Sequence, residues 1–371
     1  MRRRTVVQGL GATTILVAGG SVWRAFGQDA REIPDGPAFE PWRTWRTDMR
    51  EGPLALVHAA ILSSNAYNSQ PWLFRVAGSR IEMLADTRRN LGAFDPYLRE
   101  MFISMGCALE NLLLAAAANG IGTTVSTTSG ALTPPSDQAG PERAAMIDLS
   151  PGRRRAPSEL FDAIPHRHTN RKLFDAAREL PRSFVHDLAT LTPAVNSDVR
   201  LFLFEREDQR RAIADLVWDA TRRFGSDPDV RRGVQPWYRR TMAELETRRD
   251  GTFVGAPERT SYVDLMRSGR LFGLIAVRDR YERAQALSAG RLWQRAHLLA
   301  AARGVAARPA NGAVEVVDHE RRLKQAPETL ARLATITGEP SWQPTFTFYM
   351  GYPTVAPAAS VRRPVRVVVL E

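Results

Sequence analysis

The chain has 371 residues, 44% hydrophobic and 25% charged, the balance of an ordinary globular protein, which excludes a disordered, collagenous or coiled-coil chain. One cysteine, Cys107, rules out an internal disulfide and any zinc or iron–sulfur centre built from this chain's thiolates alone. The formal charge is +11, yet only Lys172 and Lys324 are lysines and no basic run alternates with aromatics, so the arginine excess reads as composition, with no nucleic-acid partner.

Arg2, Arg3 and Arg4 precede Thr5 and an apolar run over 6–22 rich in Gly and Ala. A charged start before an apolar run too short for a bilayer span predicts a signal peptide over 1–27. The paired arginines resemble a twin-arginine export signal, with Ala25-Phe26-Gly27 as its cleavage site. That resemblance implies the twin-arginine export machinery as a partner and the periplasm as destination, with membrane tethering if the leader stays attached. The route carries folded proteins, so a cofactor loaded in the cytoplasm travels along. Residues 28–51 contain Pro and Trp without periodicity and read as an extended arm or linker.

Ser64-Asn65-Ala66-Tyr67-Asn68-Ser69-Gln70-Pro71-Trp72 then opens a pair of alternating runs at 72–76 and 80–84, which predict a hairpin. Asp86, Arg88, Arg89, Asp95 and Arg99-Glu100 predict a structural ion-pair network. The segment 106–120, GCALENLLLAAAANG, predicts a buried helix whose closing Gly suits a left-handed cap and in which Cys107 serves as a small hydrophobe.

The second half echoes the first. Segment 290–304, GRLWQRAHLLAAARG, repeats the buried helix at an offset of 184, with Gln294 where Glu110 stands. Ala115 to Ala118 and Ala300 to Ala302 predict close approach by a neighbouring helix. Asn196-Ser197 leading to Leu201-Phe202 repeats Asn68-Ser69 leading to Leu73-Phe74 at an offset of 128, without Gln-Pro-Trp. The second half therefore carries about 56 extra residues, placed around 205–270, long enough for a lid. Strands are expected at 200–204 and 346–350. The expected division is a first half over 52–160 and a second over 161–371.

Four motifs carry a family resemblance. The Asn68-Ser69-Gln70-Pro71-Trp72 turn resembles a signature of the FMN-dependent nitroreductase superfamily. Pro165-His166-Arg167-His168-Thr169-Asn170-Arg171-Lys172-Leu173-Phe174 resembles its Arg-rich segment, and Gly351-Tyr352-Pro353 with Arg362-Arg363-Pro364 its terminal phosphate-binding stretch. The 106–120 helix lies in consistent order between them. The Arg segment follows the Gln-Pro-Trp turn here, the reverse of ordinary members, and this looks like the Acg-type fused branch. Ser64-Asn65 stands where those members commonly carry Pro-Ser. The resemblance implies an α+β nitroreductase-like fold with two tandem halves forming an intramolecular pseudo-dimer, one FMN site and a monomer.

It also implies roles. Arg167 and Thr169, at a helix start, are expected on the flavin phosphate, with Arg362 and Arg363 next and His168 beside them. Arg171 is expected as the cation near the ring edge that gains charge on reduction. Asn68 is expected to offer its amide to that ring, while Ser69, Gln70 and Trp72 hold the turn. No side chain is required as catalyst, because the flavin would carry the chemistry for a small-molecule substrate. No metal site is expected, the histidines being scattered. Export removes the chain from a dependable NAD(P)H supply, and the insertion could cover the flavin. A flavin-sequestering protein without turnover is therefore the rival, and a domain with a decayed flavin site the third reading.

Overall fold

The computed structural model describes residues 33–46, 52–135, 140–153, 156–195, 197–254 and 262–371, together with the backbone of two paired strands, Leu16–Ala18 and Ser21–Trp23. Apart from that pair, the expected leader lies outside the described residues, as does Asn196 of the second echo.

The expected hairpin forms as Trp72–Ala77 and Arg80–Asp86, turned by Gly78-Ser79 with Gly78 at a φ of 55°. Pro141–Pro151 and Ile121–Thr127 complete four antiparallel strands, and Val369–Leu370 adds a parallel edge against Trp72–Ala77. A second sheet orders Val199–Phe204, Leu271–Val277, Gln343–Gly351 and Ala306–Pro309, all antiparallel. Without the C-terminal edge strand the two sheets have one order: first, second, fourth and third strand in chain sequence. In each, a long helix follows the second strand. Every residue of Leu271–Val277 is buried, which accounts for its unbroken apolar run.

The two helices, Arg99–Ala118 and Arg283–Ala302, pack against each other at the centre. A Cβ on Gly106 would stand 2.0 Å from the Leu287 carbonyl oxygen, and one on Gly290 1.9 Å from that of Ile103. The contact is reciprocal, as in a two-fold interface. The tightest contact between the two helices thus falls at these glycines, ahead of the Ala stretches, because only the absence of a Cβ brings the backbones so near. Both helices start seven residues earlier than the sequence echo suggests. Asp95 accepts from the Glu100 and Met101 amides and Glu282 from that of Gln285, so capping carries each helix beyond its repeat. The closing glycines are left-handed as expected, Gly120 at φ 71° and Gly304 at φ 68°. Among the described residues only Arg99–Ala118 is long and apolar enough to span a bilayer, and it is a core helix, 89% buried over that window.

Two further expectations are corrected. The arm is not simply extended: it contains the Glu40–Thr44 helix, because Trp42 and Trp45, each 2% exposed, need a core to enter. The Arg-rich segment opens no helix. After one turn at Ile164–His166 it runs extended, and Asn170 N–H donates to Ala307 O, so a strand of the second sheet supplies its backbone partner.

The extra residues of the second half include the helices Glu207–Ser226, Pro228–Val234, Met242–Arg248 and Tyr262–Arg267. Glu207–Ser226 packs on Gly312–Arg322, while Pro228–Val234 crosses to the first half at Gly92–Phe94. There a Cβ on Gly233 would stand 2.1 Å from Leu91 O.

Candidate functional site

The turn before the first hairpin is strained and held from three sides. Tyr67, Asn68 and Gln70 all have left-handed φ, between 49° and 52°, a conformation that costs a non-glycine residue roughly 1–2 kcal/mol. Asn65 Oδ1 accepts from the Gln70 amide at 2.9 Å. Ser64 is fixed by the second core helix: its N–H donates to Gln294 Oε1 at 3.1 Å and its hydroxyl lies 3.1 Å from His297 Nδ1. Gln294 Nε2 in turn donates to Asn111 Oδ1 at 2.8 Å, so the repeated helices themselves aim the turn.

Asn68 is fully engaged. Its Oδ1 accepts from Arg362 Nη1 at 2.7 Å, and its Nδ2 donates to Val361 O at 3.0 Å and Gly251 O at 3.2 Å. Gln70 Nε2 donates to Arg249 O at 2.8 Å while its Oε1 accepts from the Arg363 amide at 2.8 Å. Ser69 O accepts from Arg89 Nε at 2.6 Å. The insertion is thus tied to the first-half turn, and Asp250 reinforces it by pairing with Arg89 and Arg239, each at 2.5 Å.

Arg167 is 2% exposed and donates to Ser64 Oγ at 3.0 Å and Leu62 O at 3.2 Å. Arg362, 1% exposed, also donates to Ser63 O at 3.1 Å and stacks 4.7 Å from the Trp42 ring. The Nε atoms of both are buried without a partner. No carboxylate sits beside Arg167, Arg171 or Arg362 among the described residues. Burial pushes Arg167 down to about 10, with Arg171 adding repulsion. Arg171, accessible from the adjoining cavity, is pushed to about 10 by enclosure first and by Arg308 second. Burial, then Arg167 and Arg171, hold Arg362 well below the usual guanidinium range. Clustered like charges without counter-ions favour an anion from outside the chain. His168 and His297 are kept neutral mainly by burial, reinforced by Arg167.

These arginines line a cavity of about 990 Å³, which Asn68 and Thr169 also line. Asn68, Arg167, Thr169, Arg171 and Arg362 are therefore brought together. Ser69, Gln70, His168 and Arg363 are not among the lining residues. His168 packs edge-on against Trp42 at 4.7 Å, and Arg363 Nη1 donates to Gln70 O at 3.2 Å behind the turn.

Another part of the wall is acidic. Glu100 pairs with Arg99 at 3.0 Å and accepts from Asn311 Nδ2 at 3.1 Å, while Arg99 and Arg280 both hold Asp318, at 2.7 and 2.9 Å. Burial and then Glu100 push the Glu315 carboxyl well above the usual range. The expected network of Asp86, Arg88, Arg89, Asp95, Arg99 and Glu100 is thus divided. Asp86 pairs with Arg88 at 2.6 Å, Arg89 turns to the insertion, and Arg99 and Glu100 join the second half. Among the described residues no group of three or more His, Cys, Asp or Glu is placed to hold a metal.

The sequence reading missed Tyr67, Arg308, Glu315, Tyr238 and Tyr262 as cavity residues. Arg308 stands at a strand position next to Pro309, four residues beyond the glycine that closes the repeated helix, and that placement is the one signal that could have found it.

No family model matches the chain, and no curated protein matches it. Solved structures similar to it include the NADPH:FMN oxidoreductase of Vibrio harveyi complexed with NAD+, at 12% identity over 58% of this chain and 77% of that one, with a TM-score of 0.38. A nitroreductase with bound FMN from Desulfitobacterium hafniense is 10% identical over 58% and 98%, with a TM-score of 0.40. A putative nitroreductase in complex with FMN from Desulfovibrio desulfuricans is 16% identical over 58% and 96%, with a TM-score of 0.35. At these identities and TM-scores the functional reading rests on the chain's own residues.

Proposed function

We propose that the chain is an FMN-binding oxidoreductase of nitroreductase type, exported to the periplasm by the twin-arginine route, in which two fused halves build a single flavin site. One observation carries this reading: Asn68 of the first-half turn and Arg167, Arg171 and Arg362 of the second half line one cavity, and among the described residues these guanidiniums have no carboxylate of their own. A phosphate monoester carries close to two negative charges at neutral pH, which suits buried, unpartnered arginine nitrogens. The shared strand order and the reciprocal glycine contact support the pseudo-dimer, and a chain with an internal partner is expected to be monomeric.

When bound, the flavin supplies two-electron transfer to a small-molecule acceptor. Arg167 and Arg362 hold its phosphate. Asn68 acts through Arg362, since its carbonyl oxygen already accepts from that guanidinium and both Nδ2 bonds are committed. Arg171, with no internal partner among the described residues, supplies the positive charge for the ring. Thr169 lines the same wall, and the Glu207–Ser226 and Pro228–Val234 helices of the insertion form part of its roof.

Titration of the exported protein with FMN and with riboflavin tests this directly. FMN is expected to bind at least about 100-fold tighter, and Arg167→Ala to weaken FMN by roughly 2–3 kcal/mol with little effect on riboflavin. Equal affinity for the two flavins overturns the phosphate assignment. Joint replacement Arg2→Lys, Arg3→Lys and Arg4→Lys is expected to strand the chain in the cytoplasm. The ties from Gly251, Arg249 and Asp250 onto the Asn68 turn favour one second reading, flavin sequestration without turnover. Bleaching of the bound flavin by dithionite but by no physiological reductant distinguishes it.

A further inference from the structure

Among the described residues that line the cavity, Glu100 and Glu315 are the carboxyls, and no histidine or lysine stands there. Burial, the first influence on each, makes the Tyr67 and Tyr262 hydroxyls and the Cys107 thiol weaker acids than usual. A group that gives up a proton during a reaction works best when its pKa lies near the ambient pH, which leaves the two carboxyls to compare.

Asn311 holds both acids in place. Its carbonyl oxygen accepts from the Glu315 amide at 2.9 Å, and its Nδ2 donates to the Glu100 carboxylate at 3.1 and 3.3 Å. Glu100 also pairs with Arg99 at 3.0 Å. Glu315, half-buried in the first turn of Gly312–Arg322, has no hydrogen-bond donor or ion-pair partner for its carboxyl among the described residues. Burial raises both acids, but at Glu100 the next influence is attraction to Arg99, whereas at Glu315 it is repulsion by Glu100. A proton shared by the two therefore resides on Glu315. Arg99, Asp318 and Asp95 also act on it, and Tyr67, Tyr262 and Arg308 line the cavity around it. The Glu207–Ser226 helix and the Gln343–Gly351 strand meet this end of Gly312–Arg322 through the uncharged Thr221 and Thr347.

We propose that Glu315 is the proton donor to the electron acceptor in this cavity, with Glu100 the fixed negative charge that keeps the proton on its neighbour. The inference rests on the flavin reading and adds to it a side chain of this chain's own. Reduction of a quinone to a quinol takes two electrons and two protons; the bound flavin supplies the electrons with one proton, and Glu315 the other, its O–H bond breaking as the quinol O–H forms and water restoring it.

Infrared spectra of the purified chain report protonated carboxyls directly. At pH 7 an ordinary glutamate, with a pKa of about 4.3, is ionised, so the spectrum of Glu315→Gln is expected to differ from the parent's by the loss of one protonated carboxyl. With FMN loaded and reduced by one equivalent of dithionite, Glu315→Gln is expected to slow reoxidation by menadione at least about 100-fold, and reoxidation by ferricyanide, which takes up no proton, less than about twofold. FMN affinity stays within about twofold, and Glu315→Asp, which keeps a carboxyl, recovers part of the menadione rate. In the parent the carboxyl band and the menadione rate are expected to fall together as pH rises, a readout that needs no variant. A Gln variant that loses no protonated carboxyl, or that is slowed equally with both oxidants, overturns the proposal. FMN uptake without the infrared difference sinks the proton step alone, whereas a chain that takes up no FMN sinks the flavin reading and this step with it.

Discussion

The same junction is built in two ways in the two sheets. In the first, the leading strands are joined by Gly78-Ser79; in the second, Val199–Phe204 and Leu271–Val277 are separated by 205–270, yet their pairing runs without a break from Phe204 opposite Phe272 to Val199 opposite Val277. Lengthening a loop this much costs roughly 0.6 kcal/mol per doubling, about 3 kcal/mol in all, and burying two or three side chains such as Ile213, Val217 and Phe224 at about 1.5–3 kcal/mol each offsets it. Two sheets of one strand order can therefore differ by a roof carried on one of them alone. The asymmetry has a direction, because the roof grows from one half and grips the turn of the other.

That comparison can be broken at several depths. The largest effect is expected where the halves meet: Gly106→Val or Gly290→Val would drive a side chain into carbonyl backbone, costing about 3 kcal/mol or more in chemical denaturation, with most of the protein insoluble. If either variant unfolds like the parent, the reciprocal contact does not hold the halves together. Next, Asp250→Ala leaves Arg89 and Arg239 without their carboxylate and is expected to cost about 2 kcal/mol, with faster proteolysis confined to 205–270. Uniform proteolysis along the chain would show that the roof is not a separable unit.

A pH series addresses the acids behind the cavity. Burial, then Glu100, raises Asp95 from the usual carboxylate range to about 7. A raised folded-state pKa means that its contribution to stability is complete below about pH 4 and is lost as pH rises through 7. In the window between, Asp95→Asn is expected to flatten the fall of unfolding free energy by up to about 1.4 kcal/mol per pH unit. His168 and His297, held neutral, act in the opposite sense, withdrawing stability as pH falls below 6.5. An unchanged slope in the Asn variant would show Asp95 to be ionised throughout. The smallest effect is expected on the outer face of the roof, where Glu207→Gln breaks an exposed pair with Arg211 worth only about 0.3–0.5 kcal/mol and leaves ligand binding untouched.

Much of this frame was legible because repetition leaves a mark in sequence. The paired GxxxE and GxxxQ openings at Gly106 and Gly290 marked both central helices and their relation, and Gly120 and Gly304 their ends. Why those glycines are needed was not legible, since a helix crossing is set by two segments far apart in the chain. The cavity residues Asn68, Arg167, Thr169, Arg171 and Arg362 could be read from motifs. Arg308 and Tyr238 could not, because each enters the wall through a strand or an insertion with no local pattern, and Tyr67 could not because its place in the turn does not tell which way its ring faces. The helix expected after Arg167 failed because a neighbouring strand, not the segment itself, satisfies its backbone.

The last strand bears on how the molecule could be divided. Val369–Leu370 closes the edge of the sheet that begins at Trp72, and Arg362 reaches Ser63 on the way there. A cut near residue 160 would hence yield no autonomous piece: the leading fragment would expose a raw sheet margin, and the trailing one a tail without a dock. The chain is therefore not modular at this point, and reassembly of separately expressed fragments should require both at once.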